Sequence, residues 1–186
     1  MGIAELLGFR PPGEARAAGA LYGAIVDRAR EPRFFSSLGV PDTLDGRFET
    51  LALHVFLVLH RLKSDPSGVA MGLSRAVLEA FVSDMDRSLR EMGAADFGVA
   101  RRVKAMTQAL YGRITAYETA LDQTGEVALE SALRRNLYGT LQTVRPSDIA
   151  AVARYVRRQH AALAAQPLSE LVAAHVQFVP LFDVGP

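Results

Sequence analysis

Histidine is the side chain of this sequence with the widest chemical range, and it occurs four times. His54 and His60 are six positions apart, which places them about 240° apart around a helix of 3.6 residues per turn. They therefore cannot bind one metal ion without help from another element. His160 and His175 stand alone in the sequence. The Glu-x-x-His pairs of di-iron bundles are absent, and the chain has no cysteine ligand. The sequence predicts no metal site.

Asp84 and Asp86 are the best candidates for a catalytic carboxylate pair. Positions two apart on a helix point in different directions, so a solvated charged face is the favoured interpretation. Ser88 and Thr115 have no base near them in sequence, and no spacing supports haem ligation. The sequence also lacks a Gly-rich phosphate loop, a Gly-x-Ser-x-Gly elbow and a His-Glu-x-x-His helix. We predict no catalytic residues and no cofactor, and the residues by themselves favour a helical binding module over an enzyme.

Composition indicates a core-forming chain without a nucleic-acid signature. The chain has 186 residues, of which 49% are hydrophobic, and its 21 basic and 20 acidic residues give a net charge of +1. No basic block is present, so nucleic acid is not an expected partner. The absence of cysteine fits a reducing compartment, and Glu5 and Arg10 interrupt the short apolar opening, unlike a secretory signal. We predict a cytoplasmic protein, with room for peripheral contact with a membrane.

The elements that must position any site are organised around Leu38–Lys63. This stretch begins as a turn rich in Gly, Pro and Asp and continues as a helix that is apolar on nearly every side, which is typical of a buried helix. Its unbroken apolar run is far shorter than the roughly 20 residues of a membrane span. We predict a buried central helix at about 43–63, capped by Asp42 or Thr43. Gly46 then lies inside the helix, where another backbone would pass close by; the alternative is a start at Gly46 capped by Asp45.

Helical spacing of apolar residues predicts an all-α, single-domain bundle of about six helices around this one. Residues 1–13 are an N-terminal segment, which could form a short amphipathic turn followed by a break at Pro11-Pro12-Gly13. The helical domain is 14–166, and 167–186 is an apolar tail packing on it as a short helix and an extended strap. Gly112, inside a helix, suggests close approach of a neighbouring helix. The other helices are predicted at 14–30, 73–91, 98–121, from about 129 to 139, and 146–165.

Five segments stand in order along the sequence: LYGAIVDRAREPRFF, LGVPDTLDGRFETLALHVFLVLHRLK, FVSDMDRSLREMGAADFGVARRVKAM, LYGRITAYETAL and LRRNLYG. Together they resemble the ubiquinol–cytochrome c chaperone family, the bacterial relatives of the mitochondrial chaperones for cytochrome b in complex III assembly. The resemblance covers about Leu21 to Ala161, most of the chain. It rests on all five segments at matching intervals, since no single segment would identify the family.

The resemblance implies a helical, non-enzymatic assembly factor that binds newly made cytochrome b for the ubiquinol–cytochrome c reductase, complex III. The resemblance is also compatible with two further partners, the ribosome and a second small assembly factor. Two alternatives stay open at this point. The chain could be a helical protein that handles haem or quinone, or a structural subunit retained in the respiratory complex.

Candidate client-binding residues come from the motif segments and from two aromatic residues before the polar turn. For each of them, an architectural role is the competing interpretation. The candidates are Phe34, Phe35, Asp42, Thr43, Gly46, Arg47, Asp84, Asp86, Arg87, Arg90, Glu91, Arg113, Tyr117, Arg135 and Asn136. A hydrophobic client also requires an apolar groove, for which methionine is well suited because it adapts to irregular partners. The candidate groove residues are Phe34, Phe35, Met85, Met92, Phe97 and Met106.

Overall fold

The computed structural model of the protein describes residues 12–93 and 96–182, and every regular element in these two stretches is helical. This confirms the prediction of an all-α, single-domain fold. Six of the described helices have ten residues or more, and two are short. In chain order they are α1 Pro12–Ala29, α2 Arg33–Ser36, α3 Leu44–Lys63, α4 Gly68–Glu91, α5 Asp96–Leu121, α6 Val127–Asn136, α7 Pro146–Ala165 and α8 Leu168–Val172.

The start of α3 is set by the polar turn. Thr43 is the N-cap, with an extended backbone and a side-chain oxygen that accepts from the N–H of Gly46 at 3.2 Å. This satisfies one of the free donors of the first turn. Gly46 is buried, and a Cβ there would collide with the carbonyl oxygen of Pro41. The earlier of the two predicted helix starts is therefore confirmed, as is the close approach of another backbone at Gly46.

Most of α3 is buried. From Glu49 to Leu59 every residue of the helix is buried, and α3 contacts α1, α4, α5 and α7. A helix enclosed in this way needs apolar side chains all round it, which explains the lack of a single apolar stripe. The three polar residues in this stretch, Glu49, Thr50 and His54, are 7%, 0% and 0% exposed and must find partners inside the bundle.

Several predicted boundaries need correction. Helix α1 begins at Pro12, not after the Pro11-Pro12-Gly13 break, because proline is well tolerated in the first turn of a helix. Helix α4 begins at Gly68, five residues earlier than predicted, since Ser67 caps it by accepting from the N–H of Ala70 at 3.2 Å. Helix α5 begins at Asp96, two residues earlier than predicted. The short helix α2 was not predicted.

Gly112 does not mark a close helix approach. It is exposed on α5, and a Cβ added to it would meet nothing within 4 Å. The prediction is wrong here because a glycine in a helix can be tolerated without any packing reason, at a modest cost in helix propensity.

The tail forms a short helix and then an extended segment, as predicted. Leu171 of α8 and Leu181 are buried, and apolar residues between them pack on the core. We call residues 176–182 the strap. The turn that leads to it contains Ala174 with a φ of 60°, a left-handed conformation. The predicted N-terminal turn at Met1–Phe9 lies outside the described residues, and the division into three segments stays a prediction.

No helix in the described ranges, 12–93 and 96–182, has the combined length and apolar character of a membrane span.

Candidate functional site

The polar turn and α2 form a small surface pocket of about 390 Å³. Arg47 Nε donates to Asp42 Oδ1 at 2.7 Å, and the Arg47 guanidinium lies 5.7 Å from the centroid of the Phe35 ring. Arg30, Pro32 and Ser36 complete the lining. Hydrogen bonding to Asp42 raises the pKa of Arg47 further above its usual value, so the guanidinium stays charged. The structure thus brings three predicted residues together in a pocket suited to a polar or acidic group.

The other two candidates of the turn have a structural role. Thr43 caps α3, and Gly46 makes room for the backbone of Pro41. Both hold the turn in which Asp42 and Arg47 are placed.

Asp84 is not part of a solvated face, contrary to the prediction. It is 9% exposed and points to α1, where the Tyr22 hydroxyl donates to its Oδ2 at 3.0 Å. Arg87 donates to its other oxygen at 2.5 Å. Burial, and then the charge of Asp84, raise the pKa of Tyr22 far above its usual value, so the phenol remains a donor. The error arose because the partner lies 62 positions away in sequence.

Asp86 faces the other way, as expected for a residue two positions further along the helix. Its carboxylate pairs with Arg90, four residues further along α4, at 2.6 Å. A second pair at the same spacing is weaker, since Arg87 Nε lies 4.0 Å from Glu91 Oε1 while its Nη2 is bound to Asp84.

Asp86 also lines the larger surface depression, a groove of about 720 Å³ between α4 and α5 that we call the open groove. Its walls are mostly apolar, and Tyr111 within it is 53% exposed. An aromatic ring left half in water beside aliphatic side chains is typical of interaction sites. The groove is lined by Val82, Ser83, Asp86, Ala100, Val103, Lys104, Thr107, Gln108 and Tyr111.

Arg113 belongs to a partly buried ion pair with Glu49 of α3. Its Nη2 and Nε donate to Glu49 Oε1 and Oε2 at 2.5 and 3.0 Å, so the pair is bidentate. This hydrogen bonding raises the pKa of Arg113. Tyr117, one turn further on α5, is fully buried against Phe56. Both candidates therefore tie α5 to α3, which is an architectural role.

The remaining candidates are scattered. Phe34 and Met85 are buried in the core, whereas Met92 is 53% exposed at the end of α4. Met106 is half-buried against the core, and the side chain of Phe97 lies outside the described side chains. Near the end of α6, Arg135 is exposed and Asn136 is half-buried. No common surface joins these residues to the polar-turn pocket, and their client-binding role stays a prediction.

The polar groups around His54 form a connected network that sequence reasoning missed. His54 Nδ1 lies 2.7 Å from the carbonyl oxygen of Thr50, and its Nε2 lies 2.8 Å from the Tyr155 hydroxyl. Since a carbonyl can only accept, Nδ1 carries the proton and Nε2 accepts from Tyr155. Arg28 Nε donates to the same hydroxyl at 3.0 Å. Burial lowers the pKa of His54 to about 4 and raises that of Tyr155 to about 12, so both are neutral at pH 7.

One sequence signal could have revealed these partners. Glu49 and His54 lie in a helix that must be buried on all sides, so each needs a polar partner from another element. The identity of the partners could not be read from the sequence, because Arg113 is 64 positions from Glu49 and Tyr155 is 101 positions from His54.

His160 does not stand alone in the structure, contrary to the prediction. Its ring centroid lies 5.0 Å from that of His60, since α7 packs along α3. Burial, followed by the neighbouring His60, lowers the pKa of His160. Within the described part of the chain, no group of three or more His, Cys, Asp or Glu side chains is arranged to hold a metal ion.

Comparison with known proteins assigns this architecture to a family. Residues 36–178 match the family model described as ubiquinol-cytochrome C chaperone. The chain is 27% identical over 143 residues to ubiquinol-cytochrome-c reductase complex assembly factor 1 of Xenopus laevis, covering 77% of this chain and 70% of that protein. It is 25% identical over 149 residues to the mitochondrial protein CBP3 of Saccharomyces cerevisiae, covering 79% of this chain and 44% of that one.

A solved structure shares the fold along almost the whole chain. The crystal structure of the Cbp3 homolog from Brucella abortus aligns with a TM-score of 0.83 and 33% sequence identity. The alignment covers 99% of this chain and 100% of that one.

Proposed function

Since this chain belongs to the ubiquinol-cytochrome C chaperone family, we propose that it is a non-enzymatic assembly factor for the ubiquinol–cytochrome c reductase. In this proposal it binds newly made cytochrome b and holds it during assembly of the complex. The relatives from Xenopus laevis and Saccharomyces cerevisiae are longer, and this chain spans 70% and 44% of their lengths. The proposal therefore concerns the helical domain that they share with this chain.

The observation that carries the proposal is the open groove between α4 and α5. A hydrophobic client must bury apolar side chains against the chaperone without being trapped irreversibly. The groove is lined by the partly buried side chains of Val82 and Val103 and by the half-exposed ring of Tyr111. Tyrosine is among the residues that most often dominate binding energy at interfaces. Covering these side chains would remove apolar surface from water at about 25 cal/mol per Å².

Polar residues at the rim of the open groove can form hydrogen bonds with the main chain of a client. Lys104 and Gln108 lie on α5, and Asp86 lies opposite them on α4. They can exchange hydrogen bonds with the client's exposed amides and carbonyls. Polar contacts of this kind contribute to the choice and orientation of a partner more than to raw affinity.

The polar-turn pocket is the second surface of the proposal. Arg47 and Arg30 line it, so an acidic group of the client or of a second assembly factor would be recognised there. We extend the proposal to a cytoplasmic protein in peripheral contact with the inner membrane, near the ribosome, because complex III is built in that membrane.

The test is deletion of the gene in the source organism, followed by measurement of assembled complex III and of cytochrome b synthesis. We expect the complex to be lost while cytochrome b is still synthesised. A haem- or quinone-handling protein would instead purify with a bound chromophore. A retained structural subunit would copurify with the active complex in a fixed ratio.

The groove is tested by complementation with Tyr111→Asp and with a matched control, Val127→Asp. Tyr111 is 53% exposed in the groove, and Val127, the first residue of α6, is 78% exposed outside both surfaces. We expect Tyr111→Asp to fold, as judged by circular dichroism, but to restore less than about a tenth of the complex, whereas Val127→Asp restores it fully. Equal rescue by the two variants would exclude the open groove as the client site.

Crosslinking provides an independent readout. A photoreactive residue at position 111 should crosslink to cytochrome b in a translating membrane preparation, and one at position 127 should not. Equal yields from the two positions would contradict contact at the groove.

A further inference from the structure

The strap is held mainly through its main chain. Gln166 Nε2 donates to the carbonyl of Gln177 at 2.7 Å, and Gln166 Oε1 accepts from the N–H of Gln177 at 3.0 Å. Two residues later, the N–H of Val179 donates to Gln159 Oε1 at 2.8 Å, and its carbonyl accepts from Arg28 Nη2 at 2.6 Å. Both main-chain groups of two alternate residues are therefore bound by side chains of the bundle.

This spacing is the repeat of an extended chain, in which alternate residues present their groups to the same side. Arg158 adds two hydrogen bonds near the end of the strap by donating to the carbonyls of Pro180 and Leu181, both at 3.1 Å. The side-chain contacts are apolar: Phe178 packs edge-on to the His54 ring at 6.0 Å, and Leu181 is 2% exposed. Main-chain hydrogen bonds with apolar side-chain contacts are one established way of capturing an extended peptide.

Recognition of this kind does not depend on the identity of the strap. Every peptide carries the same N–H and C=O groups, and the apolar contacts require only side chains of suitable size. An extended apolar segment of another protein could make the same set of hydrogen bonds.

The strap also fits its site incompletely. Gln159 is fully buried, and its Nε2 donor has no hydrogen-bond partner among the described residues. A buried donor without an acceptor is costly, so an occupant with a carbonyl at this position would be favoured. Docking of the strap therefore leaves one buried donor unsatisfied.

We propose that the site beneath the strap binds an extended apolar segment of a partner protein, and that the strap is its displaceable resident. We call this site the tail groove; it comprises Arg28, His54, Tyr155, Arg158, Gln159 and Gln166. The inference does not rest on the proposed function, because the tail groove is defined by contacts within this chain and its test involves no respiratory complex.

The strap is covalently linked to the bundle, and this linkage determines how readily a partner segment can replace it. A segment on a short linker competes at an effective concentration in the millimolar range, so a free peptide binds weakly until the strap is loosened. Phe178→Ser loosens the strap by removing its ring from His54 without altering the groove.

The experiment measures fluorescence anisotropy of a labelled peptide with the sequence HVQFVPLFD, added to the full-length protein. We expect the peptide to bind the Phe178→Ser variant about tenfold more tightly than it binds the wild type. Adding Gln166→Ala to this variant should weaken binding by about tenfold, since two main-chain hydrogen bonds are lost. Gln108→Ala, the same substitution in the open groove, is the matched control and should have no effect.

Two further peptides test main-chain recognition. A peptide with its apolar residues permuted should bind within about tenfold of the original, because the groove reads the main chain. A peptide N-methylated at the positions of Gln177 and Val179 should not bind, because it lacks both N–H donors. Equal binding of the methylated peptide would overturn the proposal, as would an unchanged affinity in Phe178→Ser.

Hydrogen exchange on the wild type supplies a readout that needs no variant. Excess unlabelled HVQFVPLFD should increase amide exchange at residues 176–182 and leave α3 and α7 unchanged. Unaltered exchange of the strap at a peptide concentration that saturates Phe178→Ser would contradict displacement. A dimer that exchanges straps between copies and excludes the peptide would overturn the proposal in favour of self-association.

Discussion

The tail groove and the open groove belong to one helical bundle but are completed in different ways. The tail groove contains a buried histidine, tyrosine and glutamine, and the chain covers them with its own strap. The open groove has aliphatic walls and keeps its charged residues, Asp86 and Lys104, at the rim, where Asp86 forms a surface ion pair. Buried polar groups are costly without hydrogen-bond partners, so a segment must cover them, whereas partly exposed apolar walls remain in contact with water until a partner binds.

The difference determines which substitutions change stability. Substitutions beneath the strap should reduce the free energy of unfolding, because they remove buried contacts or leave polar groups unpaired. Substitutions of the exposed residues of the open groove should leave the free energy of unfolding nearly unchanged and affect only partner binding.

The largest contrast is expected between two aromatic residues. Phe34 is fully buried against His54 and Tyr155, with ring centroids 5.3 and 5.5 Å away. Phe34→Ala should lower the free energy of unfolding by about 3–5 kcal/mol, from lost burial and the cavity left behind. Tyr111→Ala should lower it by less than about 1 kcal/mol, because the ring is 53% exposed. Urea denaturation followed by circular dichroism measures both, and similar losses would remove the distinction between the grooves.

A second contrast compares the two carboxylates of α4. Asp84→Ala leaves the buried Tyr22 hydroxyl without its acceptor, and we expect a loss of about 2–3 kcal/mol. Asp86→Ala breaks only an exposed pair and should cost less than about 0.5 kcal/mol. The double variant Tyr22→Phe, Asp84→Ala should recover part of the loss. If it recovers none, the Tyr22–Asp84 hydrogen bond does not account for the cost.

The third prediction concerns pH. Because burial lowers the folded-state pKa of His54 from 6.5 to about 4, the unfolded chain binds more protons between these values. The contribution of neutral His54 to the free energy of unfolding is therefore complete above pH 6.5 and is lost as the pH falls towards 4. Between pH 7.5 and pH 5, this residue should lower the free energy of unfolding by about 2 kcal/mol. Urea denaturation at the two pH values measures this decrease. In His54→Gln, the decrease in the free energy of unfolding should be smaller than in the wild type by about 2 kcal/mol. An equal pH dependence in both proteins would contradict the assignment.

The smallest expected effect is a gain in stability beside the open groove. Gly112 is exposed in the middle of α5 with free space around it, so Gly112→Ala should stabilise the fold by about 0.5–1 kcal/mol. Gly46→Ala is the matched comparison and should destabilise it, because the new Cβ collides with the Pro41 carbonyl. Thermal unfolding followed by circular dichroism shows whether each variant is more or less stable than the wild type. If Gly112→Ala is destabilising, the added Cβ meets another group on α5's exposed side, and the prediction of free space at Gly112 is wrong.

Local chemistry explains which parts of the fold could be predicted. The Thr43 cap and the crowded backbone at Gly46 depend on neighbours within five residues, and both were predicted. Helix α7 was predicted with its observed ends, since Pro146 begins it and Pro167 follows it. The early starts of α1 and α4 were missed because proline and glycine were interpreted as breaks, whereas both can lie in the first turn of a helix.

The sequence by itself determined the helical class, the buried character of α3 and the extended strap, because periodicity and turn residues act over a few positions. Its family motifs also indicated the assembly-factor family before any contact was known. Only the tertiary structure decided that Asp84 faces Tyr22, that Glu49 pairs with Arg113, and that main-chain groups of the strap meet Gln159 and Arg28. These partners lie between 20 and 151 positions apart, and helix packing alone brings them together.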